Sequence, residues 1–153
     1  MKITQQFLDT VQYESDAILK YEMVYGEDFV SPGGRALSVE LIPYLNVNQG
    51  DNVLDVGCGL GGSAFIMAQS FGLNVFGIDL SMNMIVMAKN KLRSYGLQHK
   101  VEFEQGDCLL LESTDQFHGI YSRDVFLHIH NKTELFKVLY NALKEKGHLV
   151  FTD

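Results

Sequence analysis

The stretch Val53-Leu54-Asp55-Val56-Gly57-Cys58-Gly59-Leu60-Gly61-Gly62 decides the fold. Apolar residues surround one carboxylate, and a glycine-rich turn then leads into Ser63-Ala64-Phe65-Ile66-Met67-Ala68. This pattern predicts a buried parallel strand, a tight turn and a helix N-terminus, where backbone N–H groups can approach a ligand. Glycine suits such a turn because a Cβ would obstruct both a positive φ and a close backbone approach. Glycine-rich turns also arise for purely structural reasons, so the meaning of this one depends on its surroundings.

Downstream, the pattern predicts a helix to about Phe71 closed by Gly72, then a short apolar strand, Leu73 to Leu80, that reaches Asp79. Ser81 is a good N-cap for a helix through about Tyr95, with Gly96 ending it. Lys100 to Gln105 alternates as a third strand should, and Gly106-Asp107 closes it. Phe117 to Ser122 reads as a fourth strand running into Arg123-Asp124. Asn131 and Glu134 fit a capping box for a helix that ends at Gly147, and His148 to Thr152 begins a fifth strand. Upstream, Phe7 to Tyr25 has helical spacing, consistent with one or two helices over the edge or mouth of a sheet. Ser31-Pro32-Gly33-Gly34 is a turn, and Arg35 to Leu45 is again helical, with Pro43 kinking or ending it. The expected layout is a helical lid or cap segment over residues 1–50 and a ligand-binding core over 51–153.

Alternating strand and helix means α/β: a doubly wound parallel sheet, helices on both faces and right-handed crossovers. In such sheets the ligand crevice lies off the carboxyl ends of the strands. Asp55, Gly57, Asp79, Asp107, Arg123 and Asp124 all fall there, and their convergence is the main functional signal.

Bulk properties narrow the classes. The chain has 153 residues, 46% hydrophobic and 20% charged, as an ordinary single globular domain does. No apolar run approaches the roughly 20 residues of a membrane span. Met1-Lys2-Ile3-Thr4-Gln5-Gln6 contains no apolar signal core, so no signal peptide is expected. A net charge of −7 argues against a nucleic-acid surface. Cys58 and Cys108 form no disulfide framework and read as reduced thiols of a cytoplasmic protein. The His and Cys residues lack ligand spacing, so no metal is expected.

Asp79, about 20 residues beyond the glycine turn, is placed to accept both ribose hydroxyls of an adenosine. A nicotinamide dinucleotide and S-adenosylmethionine fit that feature equally, and Gly57, Gly59 and Gly62 even satisfy the dinucleotide spacing. Two features favour S-adenosylmethionine. Asp55 would repel a pyrophosphate but attract a cationic amino group and sulfonium. Asp107 can accept from an adenine amine, although it also reads as a turn residue after Gly106. Gly59, Gly61, Leu80, Cys108 and Arg123, next to these carboxylates, join them as cofactor-contact candidates.

Asp55-Val56-Gly57-Cys58-Gly59-Leu60-Gly61 resembles the first motif of class I S-adenosylmethionine-dependent methyltransferases, which have a Rossmann-like fold. A closer resemblance extends from Phe7 to Asp153. It rests on Gln12-Tyr13, Tyr21-Glu22, Gly26-Glu27, Phe29-Val30-Ser31 with Gly33-Gly34, and Tyr121-Ser122-Arg123-Asp124 followed by His128-Ile129. Together these are similar to the phosphoethanolamine N-methyltransferases, which methylate phosphobases toward phosphocholine. The resemblance implies that Tyr13 and Asp124 latch a lid over the site, that His128 lies by the substrate in a catalytic role, and that Tyr21 and Ser31 touch the cofactor. Physically, methyl transfer needs positioning and an unprotonated amine, and His128, or Asp124 with Tyr13, could receive the proton. His130 reads as structural.

Three features depart from that family: Pro32 replaces Ser or Thr, Ser63 replaces a glycine, and Lys144-Glu145-Lys146-Gly147 replaces a Lys-Pro-Gly-Gly turn. The chain ends with its fifth strand. The resemblance therefore implies that strands six and seven are missing, with the Tyr, Arg and Lys residues that bind phosphate, as in a truncated form. Leu149-Val150-Phe151 would then be an apolar edge open to association. Other readings are a methyltransferase for another small molecule or an inactive cofactor-binding module. A nicotinamide oxidoreductase is disfavoured by Asp55.

Overall fold

The computed structural model describes residues 4–153; Met1–Ile3, which the expected cap segment and the signal-peptide reading include, lie outside the described residues. The N-terminal segment is two short helices rather than one. Gln5–Phe7 (α1) runs into a π-helical turn, Leu8–Gln12, and after a break Ser15–Tyr25 forms α2. Gly34–Leu41 is α3, and Pro43 converts its continuation into a 3-10 turn, Ile42–Leu45. The alternating part follows as predicted. It comprises Asn52–Val56 (β1), Gly62–Phe71 (α4), Asn74–Asp79 (β2), Met82–Tyr95 (α5), Val101–Gln105 (β3) and Phe117–Arg123 (β4). Lys132–Ala142 (α6) and Leu143–Thr152 (β5) complete it. Ser81 and Asn131 act as the expected caps, accepting from the N–H groups of Met84 (3.2 Å) and Glu134 (3.1 Å).

The strands pair in the order β3-β2-β1-β4-β5, every neighbour parallel. Strand order reverses between β1 and β4, which is where a doubly wound sheet opens its ligand crevice. Both faces are covered. Val53 points into a core with Phe65, Ile66, Ile85, Ala88 and Leu92 from α4 and α5. Leu54 and Val56 point the other way, into a core with Leu135 and Leu139 from α6.

The last helix ends earlier than its sequence pattern predicts. α6 stops at Ala142, five residues before Gly147, because Leu143 already pairs with Phe117 of β4. Lys144–Gly147 then stand opposite His118 alone before Gly119 pairs with His148, so the segment read as helix is a bulge in β5. Short 3-10 turns at Cys108–Leu110 and Phe126–His128 carry the chain around the crevice. The N-terminal segment is fastened along α5, where Lys91 pairs with Glu22 and Asp28 (2.8 Å each) and the Tyr95 hydroxyl donates to Asp28 (2.7 Å). No helix among the described residues is long and apolar enough to cross a membrane.

Candidate active site

A cavity of about 840 Å³ lies off the carboxyl ends of the first four strands. Its floor is Asp55 and the turn through Gly57 and Gly59. One wall is Asp79, Leu80, Asp107 and Cys108, and the other is Arg123, Asp124 and His128. Tyr13, Tyr21 and Ser31 reach it from the N-terminal segment. Gly61 is the exception among the expected cofactor contacts. It does not line the cavity. With φ +90° it starts α4, and a Cβ would lie 2.5 Å from Phe103 and 2.8 Å from Phe65, so the core is what requires glycine there. At Gly57, similarly, a Cβ would stand 2.1 Å from Val125, so the absent side chain admits the loop after β4.

Asp55 is 3% exposed, and its Oδ2 has no hydrogen-bond partner among the described residues. Burial, and secondarily the charge of Asp79, push its pKa from 3.8 to about 7, against the opposing pull of the Arg123 guanidinium. Asp79 is organised differently. Its Oδ2 accepts from the Gly59 N–H (2.9 Å) and its Oδ1 from the Ser81 N–H (2.9 Å). Burial raises its pKa, and these two bonds work against that rise. Each oxygen can still accept from a further donor. Asp107 is the turn residue that its sequence context allows, its Oδ1 capping the following turn by accepting from the Leu109 N–H (3.0 Å), and it also lines the cavity. The Cys108 thiol is pushed up to about 12 by burial and by Asp107, so it offers packing rather than a nucleophile.

Arg123, 7% exposed, faces the N-terminal segment. Its Nη1 donates to the Gly34 carbonyl (2.8 Å) and Ser38 Oγ (2.7 Å), and its Nη2 to Ser31 Oγ (3.2 Å) and the Pro32 carbonyl. The guanidinium also sits 5.7 Å from the Phe29 ring centroid. Arg123 thus serves the cavity chiefly by fixing the Ser31–Gly34 turn, and only its Nε–H lacks a partner among the described residues. Ser63 joins the same cluster, its hydroxyl 2.9 Å from that of Ser38.

Tyr13 and Asp124 line the same cavity, but no hydrogen bond joins them among the described residues. The Tyr13 hydroxyl accepts from Gln12 (3.1 Å), while Asp124 accepts from the Thr152 hydroxyl (3.3 Å). Burial first, then Asp79, push the Tyr13 phenol up to about 12. Asp124 is held in the left-handed region (φ +54°) by its N–H bond to the Thr152 carbonyl (3.0 Å), a strained backbone at the cavity wall. His128 stands exposed at the rim, as does His130. The sequence reading did not include Asp9 and Asn83, which join the N-terminal segment to α5 beside the cavity. A polar residue on an amphipathic helix gives no signal of such a partner.

The family description "Methyltransferase domain" matches residues 47–153, more than half of the chain. The chain belongs to this methyltransferase-domain family. As a methyltransferase domain it is similar to phosphoethanolamine N-methyltransferase 3 of Arabidopsis thaliana, 49% identical over 150 residues, covering 97% of this chain and 30% of that protein. It is 35% identical over 150 residues to the phosphoethanolamine N-methyltransferase of Plasmodium falciparum, covering 96% of this chain and 55% of the other. A solved structure of Haemonchus contortus phosphoethanolamine N-methyltransferase 2, in complex with phosphomonomethylethanolamine and S-adenosylhomocysteine, superposes with TM-score 0.93 at 33% identity. That match covers 99% of this chain and 36% of the other. The five strands described above are therefore those of the class I methyltransferase fold. The methyltransferase domain spans between about a third and about half of the length of these relatives.

Proposed function

We propose that this chain is the S-adenosylmethionine-binding part of a phosphoethanolamine N-methyltransferase, with residues 1–50 as the cap and 51–153 as the core. The observation that carries the reading is Asp55, a buried carboxylate with one oxygen unpartnered among the described residues, in a cavity that also holds Asp79 and Asp107. The cofactor fits this donor set. Asp55 suits its cationic amino group, Asp79 the ribose hydroxyls, and Asp107 the adenine amine, with the Gly57–Gly59 turn beneath. The similarity to proteins named as phosphoethanolamine N-methyltransferases supports the substrate class.

When bound, S-adenosylmethionine supplies a methyl group on a sulfonium. The amine nitrogen of the phosphobase forms the new N–C bond as the C–S bond breaks, leaving S-adenosylhomocysteine. Before that step the amine must lose its proton. His128 at the rim, or Asp124 with Tyr13, receives it, and Tyr21 and Ser31 hold the cofactor from above. Further partners follow the same reading: no nucleic acid, and association through the free edge of β5.

A second reading has specific support. Arg123 is the one Lys or Arg among the described residues that line the cavity, and its Nη1 and Nη2 groups hold the Ser31–Gly34 turn. Among the described residues a phosphate therefore meets no free Lys or Arg here, which favours a cofactor-binding module without its own phosphobase site. Calorimetric titration with S-adenosylhomocysteine, repeated with phosphoethanolamine present, separates the two. Micromolar cofactor binding that phosphoethanolamine strengthens supports the enzyme; binding that ignores it supports the module. Asp79→Ala should weaken cofactor binding by about a hundredfold, the loss of two charge-assisted bonds, and near-normal affinity would sink both readings.

A further inference from the structure

We propose that Asp9 and Asn83 form a clasp that fastens the N-terminal segment across the cavity and positions Tyr13 over it. Asp9 lies in the π-helical turn, and its carboxylate sits against the N-terminus of α5. Oδ1 accepts from the Ser81 hydroxyl (2.5 Å) and the Asn83 N–H (3.2 Å), and Oδ2 from the Met82 N–H (3.3 Å). Ser81 already caps Met84, so Asp9 takes N–H groups that the helix's own cap leaves unmet. A carboxylate is favoured at that end by the helix dipole. Asn83 answers from the other side. Its Nδ2 donates to the backbone carbonyls of Asp9 (3.0 Å) and Tyr13 (2.9 Å).

Two features make this more than ordinary packing. Among the described residues, every hydrogen bond from residues 4–13 to the rest of the molecule runs between Asp9 or Tyr13 and the start of α5. The ion pairs of Lys91 secure only α2 and the turn after it. The π turn, closed by the Tyr13 N–H on the Leu8 carbonyl (2.6 Å), also divides the segment by direction. Asp9 faces α5, while Leu8, Gln12 and Tyr13 face the cavity. Releasing the clasp therefore frees the roof of the cavity without touching its floor. Asp9 and Asn83 act through Tyr13 and are positioning residues.

The inference rests on reading the cavity as the cofactor site, and its test keeps the two apart. Asn83→Asp removes both amide donors and sets a carboxylate against Asp9. The same carboxylate suits the first turn of α5, so the core should stay folded with an unchanged melting temperature. Asp9→Ala opens the clasp from the opposite side. In the ligand-free chain, amide exchange across residues 5–13 should accelerate by about tenfold or more in either variant, the effect of losing two neutral bonds in Asn83→Asp and the carboxylate's bonds in Asp9→Ala. S-adenosylhomocysteine, followed by stopped-flow displacement, should leave both variants about tenfold faster, with association little changed. Unaltered exchange overturns the clasp. Accelerated exchange with parental release overturns its hold on the cavity. If the parent chain binds no S-adenosylhomocysteine, the cofactor reading falls with the gating role, while exchange still decides whether the clasp exists.

Discussion

At the scale of the residue, Asp55 carries most of the electrostatic design. A carboxylate that is buried, beside a second carboxylate and short of a hydrogen-bond partner would not be retained for stability. Its pKa in the folded chain, about 7, lies above the ordinary 3.8. Between roughly pH 4 and 7 the folded chain therefore holds a proton that the unfolded chain has released, so the unliganded protein loses stability as pH rises through that window. A bound ammonium beside Asp55 favours the carboxylate, so cofactor binding below pH 7 must expel that proton. At pH 6 the heat of S-adenosylhomocysteine binding should vary with the ionisation enthalpy of the buffer, reporting release of up to about one proton. At pH 8 the dependence should vanish. Asp55→Asn should raise the melting temperature at pH 8 and abolish both the release and tight binding. Equal heats in all buffers at pH 6 would show that binding is not coupled to a proton on Asp55.

Among the elements, β5 shows where local pattern and tertiary pairing part company. Lys144-Glu145-Lys146-Gly147 extends the polar rhythm of α6, yet Leu143 pairs with Phe117 and forces the four residues into a bulge. Lys146 is left at φ +65°. A side chain there costs about 1–2 kcal/mol, against about 0.5–1 for the backbone freedom of glycine. Lys146→Gly should therefore stabilise the chain by about 0.5–1 kcal/mol in urea unfolding, and a loss of stability would mean the bulge is held by the lysine itself. The alternating core was legible because β1 and β2 are short and largely apolar, β3 alternates, and each of the first four strands ends in, or is followed directly by, a carboxylate or glycine. Asp55, Asp79, Asp107 and Asp124 could be set around one crevice from strand ends alone. The bulge was not legible, since nothing local marks the pairing of Leu143. Arg123 was placed at the cavity, but its engagement with Ser31, Pro32, Gly34 and Ser38 depends on residues some 90 positions earlier. The Asp9–Asn83 clasp is equally long-range, and Gly61 looked like its neighbours until Phe65 and Phe103 were seen behind it.

Across the whole molecule, the two edges of the sheet are defended unequally. β3 turns Glu102 and Glu104 to solvent, charges that oppose pairing with another strand. β5 presents Leu149, Val150 and Phe151 instead, the last 43% exposed, and Phe151 lies 4.9 Å from Phe126 and 6.0 Å from Phe136 by ring centroids. The bulge shields only the first part of that strand. With a net charge of −7, long-range repulsion between copies is moderate and screened beyond about 8 Å at physiological salt, too short a reach to protect a hydrogen-bonding edge. The 153-residue chain should therefore self-associate through β5. Sedimentation velocity should show a concentration-dependent shift above the monomer, persisting at high salt because apolar contact and backbone pairing drive it. Phe151→Lys puts a charge on the edge and should weaken association by about tenfold or more, at some cost in stability from the aromatic cluster. Val86→Lys, on the exposed face of α5, supplies the control for added charge alone and should leave association as it was. A parent chain that sediments as a monomer at every concentration would show that the β5 edge does not drive association.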